Sequence, residues 1–443
     1  MSSRSMVFCL AIAALCGCVT WVLVQPSPPV GVDIKGQNRV LADGASDADA
    51  PADAANAGDD ETNDGSGDAT NLVSLVETRG RTMGTTYSVL LFDPPANLDD
   101  DWRFAVDAEL RRVNDEMSTY LKSSQISQFN RSRETDWFAV SPGFAANVQL
   151  ALRVSRATEG RFDVTIGPLI DAWGFGSADP DQGRDGNPGP TDQQLEALRA
   201  RCGYQHLQVR MDPPAIRKDV PDLELNLSAL AKGHGVDRIM NLLRSMSIEN
   251  AFVEIGGEVR AIGDKGGQSW KVGIERPPVD AQQRELQLAL PIRDVAIATS
   301  GDYRNFFQSQ GQRYSHFIDP QTGRPSTRSI ASVSVAAGDC MTADAWATAF
   351  ELVGVSRAMQ LAREMQMDVF LIERAGENDG ELVSPDDTAN QVDSGTSPHF
   401  NISGTGGFLI QYQKSLRNAA DGDDASVQGA TMEAGSSDDV DEG

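Results

Sequence analysis

Cysteine is scarce, and its placement excludes more than it suggests. The chain has five in 443 residues, and Cys9, Cys16 and Cys18 all lie in one N-terminal apolar run. Only Cys202 and Cys340 remain for the body, too few and too far apart for a disulfide framework or a zinc knuckle. Histidine is scarcer, four in all. Basic charge is also short, because 38 Lys and Arg face 64 Asp and Glu for a net charge of −26. With no basic patch interleaved with aromatics, the sequence argues against a nucleic-acid partner.

The acidic excess is concentrated at the two ends. Nine Asp and Glu lie between Asp43 and Asp68 and eight between Asp421 and Glu442, with no Lys or Arg in either stretch. Such runs repel themselves and stay solvated. Residues 25–71 are accordingly expected to be a disordered acidic spacer and 415–443 a disordered acidic tail. Before the spacer, Met6 to Val24 is apolar apart from Gly17 and Thr20, which marks residues 1–24 as an export signal. Two readings stay open. Leu15-Cys16-Gly17-Cys18 resembles a lipoprotein signal with Cys18 as the acylated residue, while apolar character as far as Val24 suits an uncleaved membrane anchor. Either one tethers the body to the cytoplasmic membrane on its outer, periplasmic side.

Order is expected from about Leu72 to Lys414, with no clean internal boundary. Leu72 to Glu77 and Thr86 to Phe92 read as strands joined through a Gly84-bearing bend, and Asp100 to Met117 as an amphipathic helix burying Phe104, Ala108, Leu110, Val113 and Met117. Helices are expected at Pro142 to Thr158 and Asp192 to Cys202, with a Gly/Asp/Pro loop at Ser177 to Pro190 between them. The segment from Gly160 to Gly176, glycine-rich with few charges, suits close backbone approach to a planar ligand. Leu223 to Leu227 reads as a strand entering a helix that begins with the small residues Ser228 and Ala229, an arrangement that can present free backbone amides to a phosphate. Strands then follow at Ala251 to Ile262, Trp270 to Glu275, Leu286 to Pro291, Val295 to Ala298, Ile330 to Ala336, Asp368 to Glu373 and Phe408 to Tyr412, with a helix at Ser356 to Met365.

Two stretches carry chemistry. His316 ends a strand and opens Phe317-Ile318-Asp319-Pro320-Gln321-Thr322-Gly323-Arg324-Pro325, a loop stiffened by Asp-Pro, Gly and Pro. A loop fixed at three points can hold an imidazole still, although a His before a turn also serves as a structural hydrogen bonder. Met341 to Thr348 reads as a helix, which stacks Asp344 and Thr348 as i and i+4 on one face. A carboxylate and a hydroxyl so placed can hold a hard cation such as Mg²⁺, with water and phosphate completing its shell.

Eight segments in order resemble one family. Met83-Gly84-Thr85, Met117 to Tyr120 with Ser127 to Asn130, Gly160 to Gly176, Asn226 to Asp237, Glu254-Ile255-Gly256-Gly257-Glu258, Thr299-Ser300-Gly301, the His316 loop and Ala343-Asp344-Ala345 are together similar to the FAD:protein FMN transferases, the ApbE flavin transferase family. The resemblance implies an α+β fold: a single ApbE-like, T-fold-related domain over residues 72–414, with mixed, largely antiparallel sheets flanked by helices. It implies an enzyme that takes FAD with Mg²⁺ and transfers FMN to a Thr or Ser of an acceptor protein, usually a membrane-bound redox protein, releasing AMP. It places Met83, Tyr120, Arg161, Phe162, Asp163, Asn226, Lys232 and Ile318 as flavin-nucleotide contacts. The Ala229 carbonyl and the Asp344 and Thr348 side chains become the metal ligands, and His316 the general base. Many members have Asp where this chain has Asn226. Two other activities fit the same residues: water as the acceptor would make an FAD pyrophosphatase, and binding without turnover would make a tethered flavoprotein.

Overall fold

The computed structural model describes residues 74–176, 189–277, 285–303, 306–309, 312–374, 391–392 and 400–421. The expected export signal, the acidic spacer, most of the Ser177 to Pro190 loop and the C-terminal tail beyond Asp421 lie outside the described residues.

Strands β1 (Leu75–Thr82) and β2 (Thr85–Phe92) pair antiparallel in full register. They close through Met83 and Gly84 at φ 49° and 74°, the positive-φ pair that a tight two-residue hairpin needs. The bend is therefore only two residues long, and Arg79 to Thr82 are strand. Helix α1 (Trp102–Met117) buries Trp102, Val106, Leu110, Val113 and Met117. Phe104, expected inside, is 70% exposed, because Trp102 takes the core position one half-turn earlier. Helix α2 (Gln125–Arg131) starts at an N-cap, Ser124, whose hydroxyl accepts from the Ser127 amide. After the short β3 (Phe138–Ala139), α3 (Pro142–Ala157) is capped by Ser141 with Pro142 at its first turn. Helices α4 (Gly167–Ala172) and α5 (Asp192–Arg199) follow, the latter opened by a Thr191/Gln194 capping box. Strands β4 (Leu207–Met211) and β5 (Pro214–Lys218) complete a small sheet with β3.

Helix α6 (Ser228–Ser245) precedes β6 (Ala251–Ile255), β7 (Glu258–Ile262), β8 (Trp270–Arg276), β9 (Glu285–Ile292) and β10 (Val295–Gly301). The hairpin pairs β11 (Phe306–Ser309) with β12 (Gln312–Ser315), and β13 (Ile318–Asp319) with β14 (Arg324–Pro325), lead into β15 (Ile330–Ala337). Helices α7 (Cys340–Val353) and α8 (Val355–Glu364), strands β16 (Asp368–Arg374), β17 (Gln391–Val392) and β18 (Phe400–Gly404), and α9 (Gly406–Asp421) end the described fold.

The main sheet runs β1-β2-β6-β7-β10-β15-β16-β18-β17, and each pairing in it is antiparallel. This is the α+β architecture expected. Both faces are covered, so central strands read as unbroken apolar runs rather than alternating ones. In β16, Val369 and Leu371 join the core under α3 and α7, while Phe370 and Ile372 face the β8–β9 ribbon and α9. A third apolar group, from β2, β6, α1 and α6, fills the sheet's other end.

Two segments depart from the sequence reading. Phe408 to Tyr412, expected as a strand, lies in α9, which runs past the boundary expected at Lys414. Phe408 and Tyr412, four residues apart on one helical face, pack against the Phe370 ring at centroid distances of 6.3 and 5.3 Å, the first tilted and the second edge-on. Asp368 Oδ2 accepts from the Gly407 amide and caps this helix from a neighbouring strand. Leu223 to Leu227 makes only one bridge, Glu224 to Ile166, instead of a strand. A side chain replaces the missing ladder: Asn130 Nδ2 donates to the Leu225 carbonyl at 2.9 Å and its Oδ1 accepts from the Leu225 amide at 2.8 Å.

Helix α6 is also tied to α1 through largely buried charge, with Gly143 of α3 packed against the contact. Arg238 of α6 bonds Glu109 and reaches Glu116, both on α1, and His234 lies 6% exposed with its Nε2 3.9 Å from Glu116 Oε2. A Cβ at Gly143 of α3 would sit 3.2 Å from both of those atoms. Burial, aided by Arg238 and opposed by Glu109, pushes the His234 pKa down to about 4. The folded value lies below the unfolded one of about 6.5, so this contribution is present above pH 6.5 and is lost as pH falls toward 4. His234 is expected to remove up to about 3 kcal/mol over that window. Urea melts of the native chain and His234→Gln at pH 7 and pH 4.5 check this, with a shallower loss expected for the variant.

Candidate active site

The site is built where α6 and α7 cross. Gly233 of α6 faces the start of α7 so closely that a Cβ there would meet the Cys340 carbonyl and lie 2.9 Å from Asp344 Cβ. Glycine is required by the approach of the two helices. With no side chain between them, the Gly233 amide donates to Asp344 Oδ2 at 2.9 Å. In a regular helix that amide serves the carbonyl four residues back, here Ala229. The Ala229 carbonyl and the Asp344 carboxylate thus compete for one donor, which puts two candidate metal ligands side by side.

The amides that open α7 are satisfied mostly from outside the helix. Asp237 of α6 accepts from the Cys340 and Met341 amides, each at 2.9 Å, and Asp339 accepts from Thr342 at 2.8 Å. Asp237 is held in turn by Arg260 of β7. Asp344 is consequently not needed as a cap, although it lies in the second turn of its helix. It is 3% exposed, and burial pushes its carboxyl up to about 7, opposed by Lys232 and the Gly233 amide and reinforced by Glu258 and Asp237. Lys232 pairs with Glu258, which is 1% exposed and whose Oε2 has no hydrogen-bond partner among the described residues. Thr348, one turn beyond Asp344, has its Oγ1 3.2 Å from Ser300 Oγ on β10.

The entry to α6 and the Gly160 segment run together. The Asn226 amide donates to the Val164 carbonyl at 2.8 Å, and Asn226 Oδ1 accepts from the Ser228 amide at 3.0 Å. Asn226 also lines a polar cavity of about 150 Å³ with Thr119, Ser127, Asn130, Asp171 and Glu224. Tyr120, beside Thr119, is 69% exposed. Met83, at the tip of the first hairpin, lies against α6 at Gly235, where a Cβ would come within 2.9 Å of its Cε.

The His316 loop is held on two sides. Arg161 donates to Asp319 Oδ2 at 2.8 Å, and Trp173 Nε1 donates to the Gly323 carbonyl at 2.7 Å while its ring stacks on Tyr314. Within the loop, Gly323 at φ 70° donates to the Asp319 carbonyl, and Ser326 to the Phe317 carbonyl. His316 is half-buried beside Phe175 and Phe317, with ring centroids 6.4 and 4.0 Å away.

Three residues expected at the nucleotide turn their side chains into the fold. Phe162 is 2% exposed in the main core, and Ile318 at 1% packs with Ile166, Leu169 and Trp173. Both Asp163 oxygens are taken, by the Thr165 amide and hydroxyl and by the Tyr204 amide, and burial raises its pKa. These positions leave backbone, not side chains, to meet a ligand. Arg161 is engaged with Asp319. The sequence reading missed Glu224 in the cavity and Glu258 as the partner of Lys232. The two acids Glu254 and Glu258 that flank Gly256-Gly257 in an otherwise largely apolar run were the available signal for the second.

A model of the ApbE family matches residues 83–371, well over half the chain. The chain belongs to the ApbE family. The FAD:protein FMN transferase of Vibrio cholerae is 43% identical over 312 residues, covering 70% of this chain and 90% of that protein, and that of Haemophilus influenzae is 35% identical over 311 residues, covering 69% and 87%. Among solved structures, the flavin transferase ApbE from Vibrio cholerae superposes with a TM-score of 0.65 at 38% identity, covering 76% of this chain and 99% of that one. The apo form of the Pseudomonas stutzeri flavinyl transferase ApbE gives 0.64 at 28% identity, covering 77% and 97%.

The helix crossing yields a direct test. Gly233→Ala is expected to destabilise the protein by roughly 1–3 kcal/mol, the usual effect of overpacking a dense contact. Thermal and urea melts measure it, and a neutral result would mean that α6 and α7 are not in contact at this point.

Proposed function

We propose that this ApbE-family chain is an FAD:protein FMN transferase that works with Mg²⁺, moving FMN from FAD to a Thr or Ser hydroxyl of an acceptor protein and releasing AMP. The observation that carries the reading is the buried Asp344 carboxyl, fixed by a backbone amide of α6 and followed one turn later by the Thr348 hydroxyl. The donor set suits the ion. Among the described residues no group of three or more His, Cys, Asp and Glu could hold a metal. One carboxylate, one hydroxyl and one backbone carbonyl are hard oxygen donors, few in number, which is how Mg²⁺ is held when substrate phosphates and water complete an octahedral shell. When bound there, Mg²⁺ would supply positive charge to the pyrophosphate oxygens.

The chain's own groups account for the rest. The α6 N-terminus adds the positive end of its dipole beside the phosphates. Lys232, oriented by Glu258, contributes a cation on the same helix. The acceptor oxygen attacks the phosphorus of the FMN half, its proton passes to a ring nitrogen of His316, and the bond to the bridging oxygen breaks so that AMP leaves with that oxygen. The stiff loop serves this step, because proton transfer requires the imidazole within hydrogen-bond reach of the attacking hydroxyl.

The tether belongs to the same reading. With the N-terminal segment as a lipid-modified or spanning anchor, the body works at the outer side of the cytoplasmic membrane, and its acceptor is a membrane-bound redox subunit exposed on that side. No helix among the described residues is long and apolar enough to cross a membrane.

Incubating the full chain with FAD, Mg²⁺ and a candidate acceptor, then weighing the acceptor by mass spectrometry, tests the activity; a covalent adduct of FMN mass is expected. Free FMN formed without any acceptor would instead indicate hydrolysis. His316→Asn should retain FAD binding and slow transfer by about 10²-fold or more, the scale of a positioned base. Asp344→Ala should raise the Mg²⁺ requirement and slow transfer, whereas an intact, EDTA-sensitive variant would place the metal elsewhere.

A further inference from the structure

Residues on β10 alternate between two layers. Thr299 is paired in register with Ser334, and their hydroxyls meet at 2.8 Å. Its neighbour Ile297 belongs to the core shared with the β8–β9 ribbon. Ala298 and Ser300 point the opposite way. Ala298 is in the core with Ala343, Ala345 and Ala347 of α7, and Ser300 Oγ stands 3.2 Å from Thr348 Oγ1 on the same helix. Ser300 is half-buried, so its hydroxyl lies at the edge of the candidate metal site rather than inside the core.

A hydroxyl has one proton and two lone pairs, and either partner of this bond can be the donor. A cation on Thr348 removes that freedom. Its charge repels the Thr348 proton, which must then point away from the metal and into an acceptor. We propose that Ser300 is this acceptor, a positioning residue whose Oγ receives the Thr348 proton and so turns a Thr348 lone pair toward the cation. The inference rests on the Mg²⁺ reading above and adds to it a residue that touches neither metal nor substrate. Outer partners of this kind orient ligands at metal centres generally. A plain staple between β10 and α7 differs from it in one respect: its loss would lower stability and leave metal affinity alone.

The test is calorimetric titration of the full chain with Mg²⁺ alone, comparing the native protein with Ser300→Ala, Ser300→Thr and Thr348→Val, alongside melting temperatures and FAD affinity measured in EDTA. Ser300→Ala is expected to weaken Mg²⁺ binding by roughly 10- to 100-fold with FAD affinity unchanged, and Ser300→Thr, which keeps the acceptor oxygen, to restore it. If Thr348→Val weakens Mg²⁺ binding while Ser300→Ala stays within about twofold of native, the role given to Ser300 is wrong and the metal reading stands. Native affinity in Thr348→Val would remove the metal reading itself, and this role with it. A Ser300→Ala protein that melts early and is not rescued by Ser300→Thr would mark the residue as a staple only.

Discussion

One backbone amide holds the site together. The Gly233 N–H reaches Asp344 only because neither helix has a side chain between them at that point, and the same closeness lets Asp237 cap the helix that carries Asp344. Removing atoms from a helix contact usually leaves a void. Here the place of the missing Cβ is taken by the Cys340 carbonyl and the Asp344 Cβ of the neighbouring helix, so the packing and the Gly233–Asp344 hydrogen bond are settled by a single residue type.

The charges around that contact do not balance. Asp344 and Glu258 are both almost fully buried, with Lys232 the cation that acts on both. Burial and the second carboxylate raise Asp344, and Lys232 offsets only part of that rise. One negative charge is left over among these three groups, which a cation bound beside Asp344 would offset. The His316 loop shows a different economy of parts. Its backbone is fixed by Trp173 and its one carboxylate by Arg161, and both clamps come from the Gly160 to Gly176 stretch. The segment whose composition suggested ligand contact thus also holds the His316 loop in place.

Much of this was legible from residue spacing, and the failures have local physical causes. The i, i+4 pair of Asp344 and Thr348 and the stiffness of the His316 loop follow from helix geometry and turn chemistry, which act over a few residues. Strands β6 to β8 were legible because short apolar runs separated by Gly256-Gly257 and by Gly263, Gly266 and Gly267 leave little choice. Phe408 to Tyr412 was not, since a five-residue stretch that is apolar apart from Gln411 is too short to separate the two periods, and what selects the helix is Asp368, a distant side chain that caps it. Leu223 to Leu227 has strand-like alternation, yet Asn130, nearly a hundred residues away, occupies the backbone groups that a ladder would use. Phe162 and Asp163 lie in a motif whose resemblance pointed at the nucleotide, and only the three-dimensional contacts show their side chains turned inward.

The Gly233 to Asp344 bond spans 111 residues of chain. Between them lie β6, β7, β10 and β15, four consecutive strands in the middle of the main sheet. Contacts so distant in sequence form late, after the intervening loop entropy has been overcome. The meeting of the two helices at Gly233 and Asp344 therefore waits for the strands between them to find their places in the sheet.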